Sequence, residues 1–374
     1  MFRNFKLDPR LLKDMNYKIL FSTIAIACFG IFNIYLGTYA QSGIEFALKQ
    51  GIFFIISLIV MYFMLAWDYN IIYGYVDIFY WGSIVMLIIT RFIGTTINGA
   101  RGWIVLGPVS IQPSEFAKIA MILMLAKQLD KMDMNINNFR NLLKIVIYAI
   151  IPMVFIFVQP DMGMTMVCFF IVVGIVYCAG LDLRILFSGL AAVIVLLVLV
   201  WHTNIIHPYQ KQRLSGFLHP NENKLGINLQ LNQSMIGIGS GGFTGTGADL
   251  SSESGGYASQ FVPEKQTDFI FTVIGEHWGT IGAACLLILY GILIKGMIDT
   301  GRQAKDNFGT IISIGLASYF IFAILQNIGM TIGLMPITGI TLPMVSYGGS
   351  SLLTTIACIG LVLNINMRKR RLHF

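Results

Sequence analysis

Stretches of about 20 mostly apolar residues, the length that carries an α-helix across roughly 30 Å of hydrocarbon, recur along the whole chain. They lie at Ile19 to Gly37, Phe46 to Trp67, Ile72 to Ile93, Pro113 to Lys127, Leu142 to Val158, Met162 to Ala179, Ile185 to His202, Phe269 to Lys295, Phe308 to Thr331 and Ile340 to Met367. Only helices and closed barrels satisfy every backbone polar group in lipid, and these segments have helical length. The expected fold class is therefore an all-α integral membrane protein of about ten transmembrane helices in one bundle. The fourth segment is short and is expected to enter obliquely; the last two lie in an interval, 307–367, that contains no Asp, Glu, Lys or Arg. Only 11% of the residues are charged and 56% are hydrophobic, too little charge for a water-facing surface.

An even number of spans puts both termini on one side, and the placement of Lys and Arg predicts that this side is the cytoplasm. Arg3, Lys6, Arg10, Lys13 and Lys18 precede the first span, Lys127, Lys131, Arg140 and Lys144 follow the fourth, and Arg184 follows the sixth. Lys295, Arg302 and Lys305 follow the eighth, and Arg368, Lys369, Arg370 and Arg371 close the chain. The net charge of +7 is thus an orientation signal that attracts anionic membrane lipid, and the sequence holds no folded basic surface for nucleic acid. The first apolar segment has spanning length and no cleavage pattern, so it is expected to stay as the first span. Cys28, Cys168, Cys178, Cys285 and Cys358 all fall in predicted spans without paired spacing and read as small apolar helix residues.

No strong repeat or linker divides the chain, so residues 1–374 are expected to form a single polytopic membrane domain. Two outward segments interrupt the pattern: 95–112, and a long loop, 203–267, that carries most of the charged residues assigned outside the cytoplasm. Loops this long in compact proteins tend to be functional or disordered. Within it, Leu225 to Ile238 keeps apolar residues among amides and suits a helix lying along the membrane surface. Gly237, Gly239 and Gly242 match G-x-G-x-x-G, but no βαβ unit surrounds them, which leaves flexible turn glycine or a backbone-amide nest.

Gln112-Pro113-Ser114-Glu115-Phe116-Ala117-Lys118 reads as a helix start, with Pro at the first position and Glu in the first turn. Lys118, a cation at or below the interface, needs a partner, and Glu115 at i−3 supplies one. The pair either locks the helix or binds an anionic substrate. Arg101 and Trp103 precede this helix on the outer side, where Trp is often an interfacial anchor. Asp268 sits at the outer mouth of the eighth span, followed at once by Phe269-Ile270-Phe271, a position that suits a helix cap and a functional carboxylate equally. Glu276 and His277, two turns deeper, read either as relay residues or as a satisfied polar pair.

The strings RGWIVLGPVSIQPSEFAK, QPDMGMT, QSMIGIGSGGFTGTG, FVPEKQTDFIFTVIGEHWG and GLMPITGITLPMVSYGGSS resemble, in order and over nearly the whole chain, the SEDS family (shape, elongation, division, sporulation). Within it, QPD at Gln159 to Asp161 and PITG at Pro336 to Gly339 look like the elongation branch rather than the division branch. The resemblance implies a peptidoglycan glycosyltransferase in the bacterial plasma membrane that polymerises lipid II at the extracytoplasmic face, for wall elongation and cell shape. It also implies a nascent glycan strand as co-substrate and a class B penicillin-binding protein, a transpeptidase, as partner. Residue by residue, Asp268 matches the family's essential loop aspartate, Arg101 and Trp103 its R-x-W region, and Glu115 with Lys118 its Q-P-S-E-x-x-K motif. This chain departs from the family pattern at His277, where a second Glu is usual, and after Gly247, where a Trp and a basic residue are often found.

That chemistry needs a base for the acceptor hydroxyl, expected to be Asp268, and cations for the undecaprenyl diphosphate leaving group, with Arg101, Lys118, Arg213 and Lys265 as outer-side candidates. Glu264, beside Lys265, completes the expected substrate-binding set. A divalent cation, Mg or Mn, fits the same work, although no ligand cluster in the sequence identifies a metal site. The alternative from another class is a flippase for the lipid-linked precursor, and a third is a scaffold that only recruits the transpeptidase. Charges clustered at the outer mouth rather than the midplane favour the enzyme.

Overall fold

The computed structural model describes residues 9–97, 100–107, 109–203, 208–218, 228–248 and 256–369. Among them the order is α1 (Pro9–Leu12), α2 (Tyr17–Ser42), α3 (Glu45–Ala66), α4 (Tyr69–Ile93), β1 (Thr95–Ile97), β2 (Ala100–Leu106), β3 (Val109–Ile111) and α5 (Pro113–Lys131). There follow α6 (Phe139–Val158), α7 (Met162–Cys178), α8 (Leu183–Trp201), α9 (Pro208–Leu218), α10 (Leu229–Gly241), α11 (Tyr257–Phe261), α12 (Ile270–Gln303), α13 (Asn307–Thr331) and α14 (Gly349–Met367). Eight of these helices, α2, α3, α4, α6, α8, α12, α13 and α14, are long and apolar enough to cross a membrane. α5 and α7 occupy the two remaining apolar segments.

Short polar side chains start many of these helices. Asn16, Asp68, Asn138, Asp161, Asp182 and Asp306 each accept a hydrogen bond from a first-turn N–H of α2, α4, α6, α7, α8 and α13, as expected for N-caps. α5, α13 and α14 are buried along most of their length and form the centre, with α13 packed on α5, α7 and α12 and α14 packed on α3. α8 has no buried residue.

Two differences from the sequence reading matter for the site. The tenth segment does not begin as a helix at Ile340: residues 332–348 are irregular, and α14 starts at Gly349. Leu342, Met344 and Val345 are buried by protein instead of lipid, the condition under which non-helical backbone is tolerated at membrane depth. Segment 95–112 forms a small antiparallel sheet, order β1-β2-β3, with Thr95 opposite Trp103 and Val105 opposite Ser110.

α12 is broken at Gly279 (φ 60°, ψ −159°), and the break is repaired by the glycine-rich segment of the long loop. Thr246 and Gly247 N–H donate to the carbonyls of Glu276 and His277, at 2.9 and 3.1 Å. Thr280 and Ile281 N–H donate to the carbonyls of Gly242 and Phe243, at 3.1 and 3.2 Å. Backbone groups freed by a break inside a span must find partners in protein, and residues 242–247 supply them. Before this segment, Gly237 and Gly241 serve packing, and Gly242 (φ 53°) makes the turn that ends α10. A Cβ on Gly241 would lie 2.0 Å from the Gly275 carbonyl oxygen, and one on Gly237 would lie 2.8 Å from Thr272 Cγ2. α10 accordingly starts at Leu229 and packs on α12, with Leu231 and Ser234 buried; the earlier part of the expected surface helix, 225–227, lies outside the described residues.

Candidate active site

Asp268 closes a tight turn that leads into α12. Glu264, in left-handed backbone (φ 53°), presents a carbonyl that accepts from the N–H groups of Thr267, Asp268 and Phe269. The irregular segment 332–348 packs against this turn: Tyr347 N–H donates to Gln266 O at 2.7 Å, and the Ser346 hydroxyl donates to Thr267 O. From α13, the buried Asn327 Nδ2 donates both to Asp268 O, at 2.9 Å, and to Ile340 O, at 2.7 Å. The carboxylate is therefore held on a backbone fixed from three sides.

Arg213 on α9 reaches the same place. A Cβ on Gly339 would lie 3.4 Å from Asp268 Oδ2 and 3.8 Å from Arg213 Nη1, so both side chains border this one glycine, and Nη1 also points at Ile337 O, 3.4 Å away. Asp161, the N-cap of α7, completes the cluster: it accepts from Met164 N–H and from Gln112 Nε2, at 2.9 and 3.1 Å. Burial is the main cause that pushes the Asp268 carboxyl up to about 6; the Glu264 and Asp161 charges add to it, and the Arg213 charge opposes it. Burial also raises the Asp161 carboxyl, again against the Arg213 charge. A half-buried carboxylate at about 6 beside a guanidinium is suited to accept a proton near neutral pH.

The other expected residues are placed differently. Glu264 lies in the Asp268 turn, its carboxylate accepting from the Thr267 hydroxyl at 2.8 Å. Trp103 is half-buried on β2, facing Thr95 across the ladder. Arg101 caps the C-terminal end of α4, donating to Gly94 O and Phe92 O at 2.8 Å each. Lys265 is buried, with its ammonium on Gln41 Oε1, at 2.7 Å, and Ser259 O.

Glu115 and Lys118 form a 2.8 Å ion pair inside the bundle, 3% and 1% exposed. Lys118 Nζ lies 3.7 Å from the Tyr319 ring centroid on α13, and the Thr354 hydroxyl on α14 donates to Glu115 at 3.0 Å. This arrangement locks α5 to both central helices. Removing one partner of a buried pair costs about 3–5 kcal/mol because the other charge is stranded, whereas replacing both by apolar groups is often neutral. Lys118→Met is therefore expected to lose folded protein in detergent, as read by size exclusion and melting, and Glu115→Gln with Lys118→Met to recover it. Failure of the double variant with an intact melting profile in Lys118→Met would remove the locking role.

Sequence reasoning passed over Asp161, Asn327 and Gly339. Asp161 carries the same signal as Asp268, a carboxylate just before an apolar run, and Asn327 is an amide within the chargeless interval 307–367.

Residues 14–371 match the profile of a family described as cell cycle protein and labelled FtsW, RodA and SpoVE. Stage V sporulation protein E of Bacillus subtilis is 35% identical over 338 residues, 87% of this chain and 88% of that protein. The peptidoglycan glycosyltransferase RodA of Treponema pallidum is 30% identical over 435 aligned positions, covering 96% and 99%, and the peptidoglycan glycosyltransferase MrdB of Escherichia coli is 32% identical over 316, covering 84% of each. Among solved structures, a chain of a peptidoglycan synthase complex, described as coordinating polymerization and crosslinking, superposes with a TM-score of 0.81 at 29% identity, covering 94% of this chain and 97% of that one. The rod shape determining protein RodA of Thermus thermophilus superposes with a TM-score of 0.72 at 27% identity, covering 96% and 98%.

Proposed function

We propose, for a chain that belongs to the FtsW, RodA and SpoVE family of cell cycle proteins, that Asp268 is the general base of lipid II polymerisation. The protein is a peptidoglycan glycosyltransferase and a multi-pass membrane protein, the activity being the one its Treponema and Escherichia relatives carry in their names. In this reading the Asp268 carboxylate takes the proton of the acceptor GlcNAc 4-hydroxyl as that oxygen attacks the anomeric carbon of the growing strand. The bond to undecaprenyl diphosphate breaks, and a single displacement inverts the anomeric centre. Arg213 faces the charge that develops on the diphosphate. Trp103 and Glu264 line the approach, and the prenyl tails lie in apolar grooves between spans. Among the described residues no three His, Cys, Asp or Glu side chains stand together to hold a metal ion, so no step here is assigned to one.

The single observation that carries the reading is that Asp268 and Arg213 border the same glycine, Gly339, within reach of the Asp161 charge. The ten apolar segments support ten spans, and the placement of Lys and Arg supports both termini in the cytoplasm and an outward-facing site. A class B penicillin-binding protein is the expected partner, and the QPD and PITG forms, which look like the elongation branch, favour a role in wall elongation.

Purified protein with its partner and labelled lipid II is expected to make glycan strands. Because the base must be ionised and its carboxyl sits at about 6, the rate should rise with pH through about 6, plateau above it, and fall about tenfold per unit below it. A protein that moves lipid II across vesicles without making polymer would instead be the flippase.

A further inference from the structure

We propose that Glu276 and Lys265 are positioning residues for this reaction, a buried carboxylate on the first N–H groups of α11 and a buried ammonium on its Ser259 carbonyl that clamp this helix and so fix the turn carrying Asp268. The proposal rests on Asp268 as the base and concerns how that base is held. α11 is five residues long and follows the undescribed part of the loop, too short to hold its own position. Its first N–H groups receive no cap from Gly256. Glu276, one turn before the break in α12, supplies both bonds instead: Oε1 accepts from Tyr257 N–H, and Oε2 accepts from Ala258 N–H at 2.7 Å. The carboxylate is 3% exposed.

At the middle of α11, Ser259 O accepts from Lys265 Nζ and, at 2.8 Å, from Gln41 Nε2 of α2, while the Gln41 oxygen accepts from Lys265 at 2.7 Å. The Ser259 hydroxyl reaches Gly37 O at 2.9 Å. Burying either charge alone costs several kcal/mol unless partners compensate it; here the carboxylate is spent on the backbone of α11 and the ammonium is shared between that backbone and Gln41 of α2. Lys265 is itself part of the Asp268 turn, so its ammonium ties that turn back to α11 and α2.

This arrangement also decides what Glu276 does not do. Both of its oxygens are committed to α11, and His277 Nδ1 pairs with Gly247 O at 2.8 Å. Through these contacts the two neighbours do not bond each other. Gly256 reports how closely the clamp is fitted, because a Cβ there would lie 2.6 Å from Glu276 Oε1.

The test compares polymerisation by the detergent-purified complex carrying Glu276→Gln, Gly256→Ala or Lys265→Met. Glu276→Gln turns one acceptor into an NH2 facing an N–H, and Gly256→Ala pushes on the same carboxylate from the loop side. A base displaced by about 1 Å loses on the order of 10²-fold in rate. The expected result is a 10- to 100-fold loss of kcat (about one to two decades) in Glu276→Gln, Gly256→Ala and Lys265→Met, with KM for lipid II and the melting temperature near wild type in the first two; wild-type kcat in Lys265→Met overturns the role of the ammonium. Retention of most of the kcat by both Glu276→Gln and Gly256→Ala overturns the clamp, as does a loss in these two in which KM and melting temperature worsen together. Each failure leaves the base reading intact, since that reading falls only if Asp268→Asn stays active.

Discussion

Asp268→Asn is expected to abolish glycan synthesis, with kcat reduced by about 10²–10⁴-fold, the range that a positioned general base contributes. The substitution is nearly isosteric and leaves the main-chain bonds of the turn in place, because Asn327 and Glu264 engage the backbone of residue 268 and not its carboxylate. What it removes is the proton acceptor. Folding should not suffer: the native carboxylate is held at about 6 by burial, so its charge opposes folding at neutral pH and its neutral replacement removes that cost. A carboxyl whose pKa is raised in the folded state destabilises that state at pH above its unfolded value. A folded, monodisperse Asp268→Asn protein that still makes strands with its partner and labelled lipid II would end the base assignment. Asp268→Glu is informative beside it. One more methylene moves the carboxylate away from its place beside Gly339 and Arg213, so a large loss is expected although the proton acceptor is kept.

The sequence made the spans legible because lipid and water impose a coarse rule that length and charge satisfy. Each of the ten apolar segments meets a helix, and Asp268 stood out because a carboxylate just before Phe269-Ile270-Phe271 is costly to keep there. Hydropathy reports burial without saying what does the burying, which is why Ile340 to Val345 read as the start of a span although protein covers it. The break in α12 was invisible for a related reason. Gly279 in an apolar run is unremarkable, and its compensation comes from residues 242–247, more than thirty positions earlier. Long cations were the least legible. Arg101, Lys118 and Lys265 share the outer side with Arg213 in the sequence, yet three of them bend to a helix end, an ion pair and a short helix. Only tertiary contacts decide where four to six rotatable bonds deliver a charge. Asp161 was legible by the rule that found Asp268, but in the sequence it was read only as the last residue of the QPD string.

Arg213 is the cation from that group that shares a glycine with the base, and its removal should separate two effects in one experiment. Arg213→Gln takes away the charge facing the diphosphate as the glycosidic bond breaks; losing one such preorganised donor costs about 10²–10³-fold in kcat. That loss should persist on the high-pH plateau, where Asp268 is fully ionised. The second effect is a shift of the acid limb. The Arg213 charge favours the ionised forms of Asp268 and Asp161, so without it the Asp268 carboxyl rises above about 6 and the limb moves to higher pH. Arg213→Lys should restore the limb, since the charge returns, and only part of the plateau, since an ammonium cannot replace a planar fork at a diphosphate. A plateau at the wild-type rate with only the limb moved would confine Arg213 to tuning the base and leave the diphosphate to another cation. An unmoved limb with a lower plateau would mean that Arg213 meets the leaving group while Asp268 answers to burial alone.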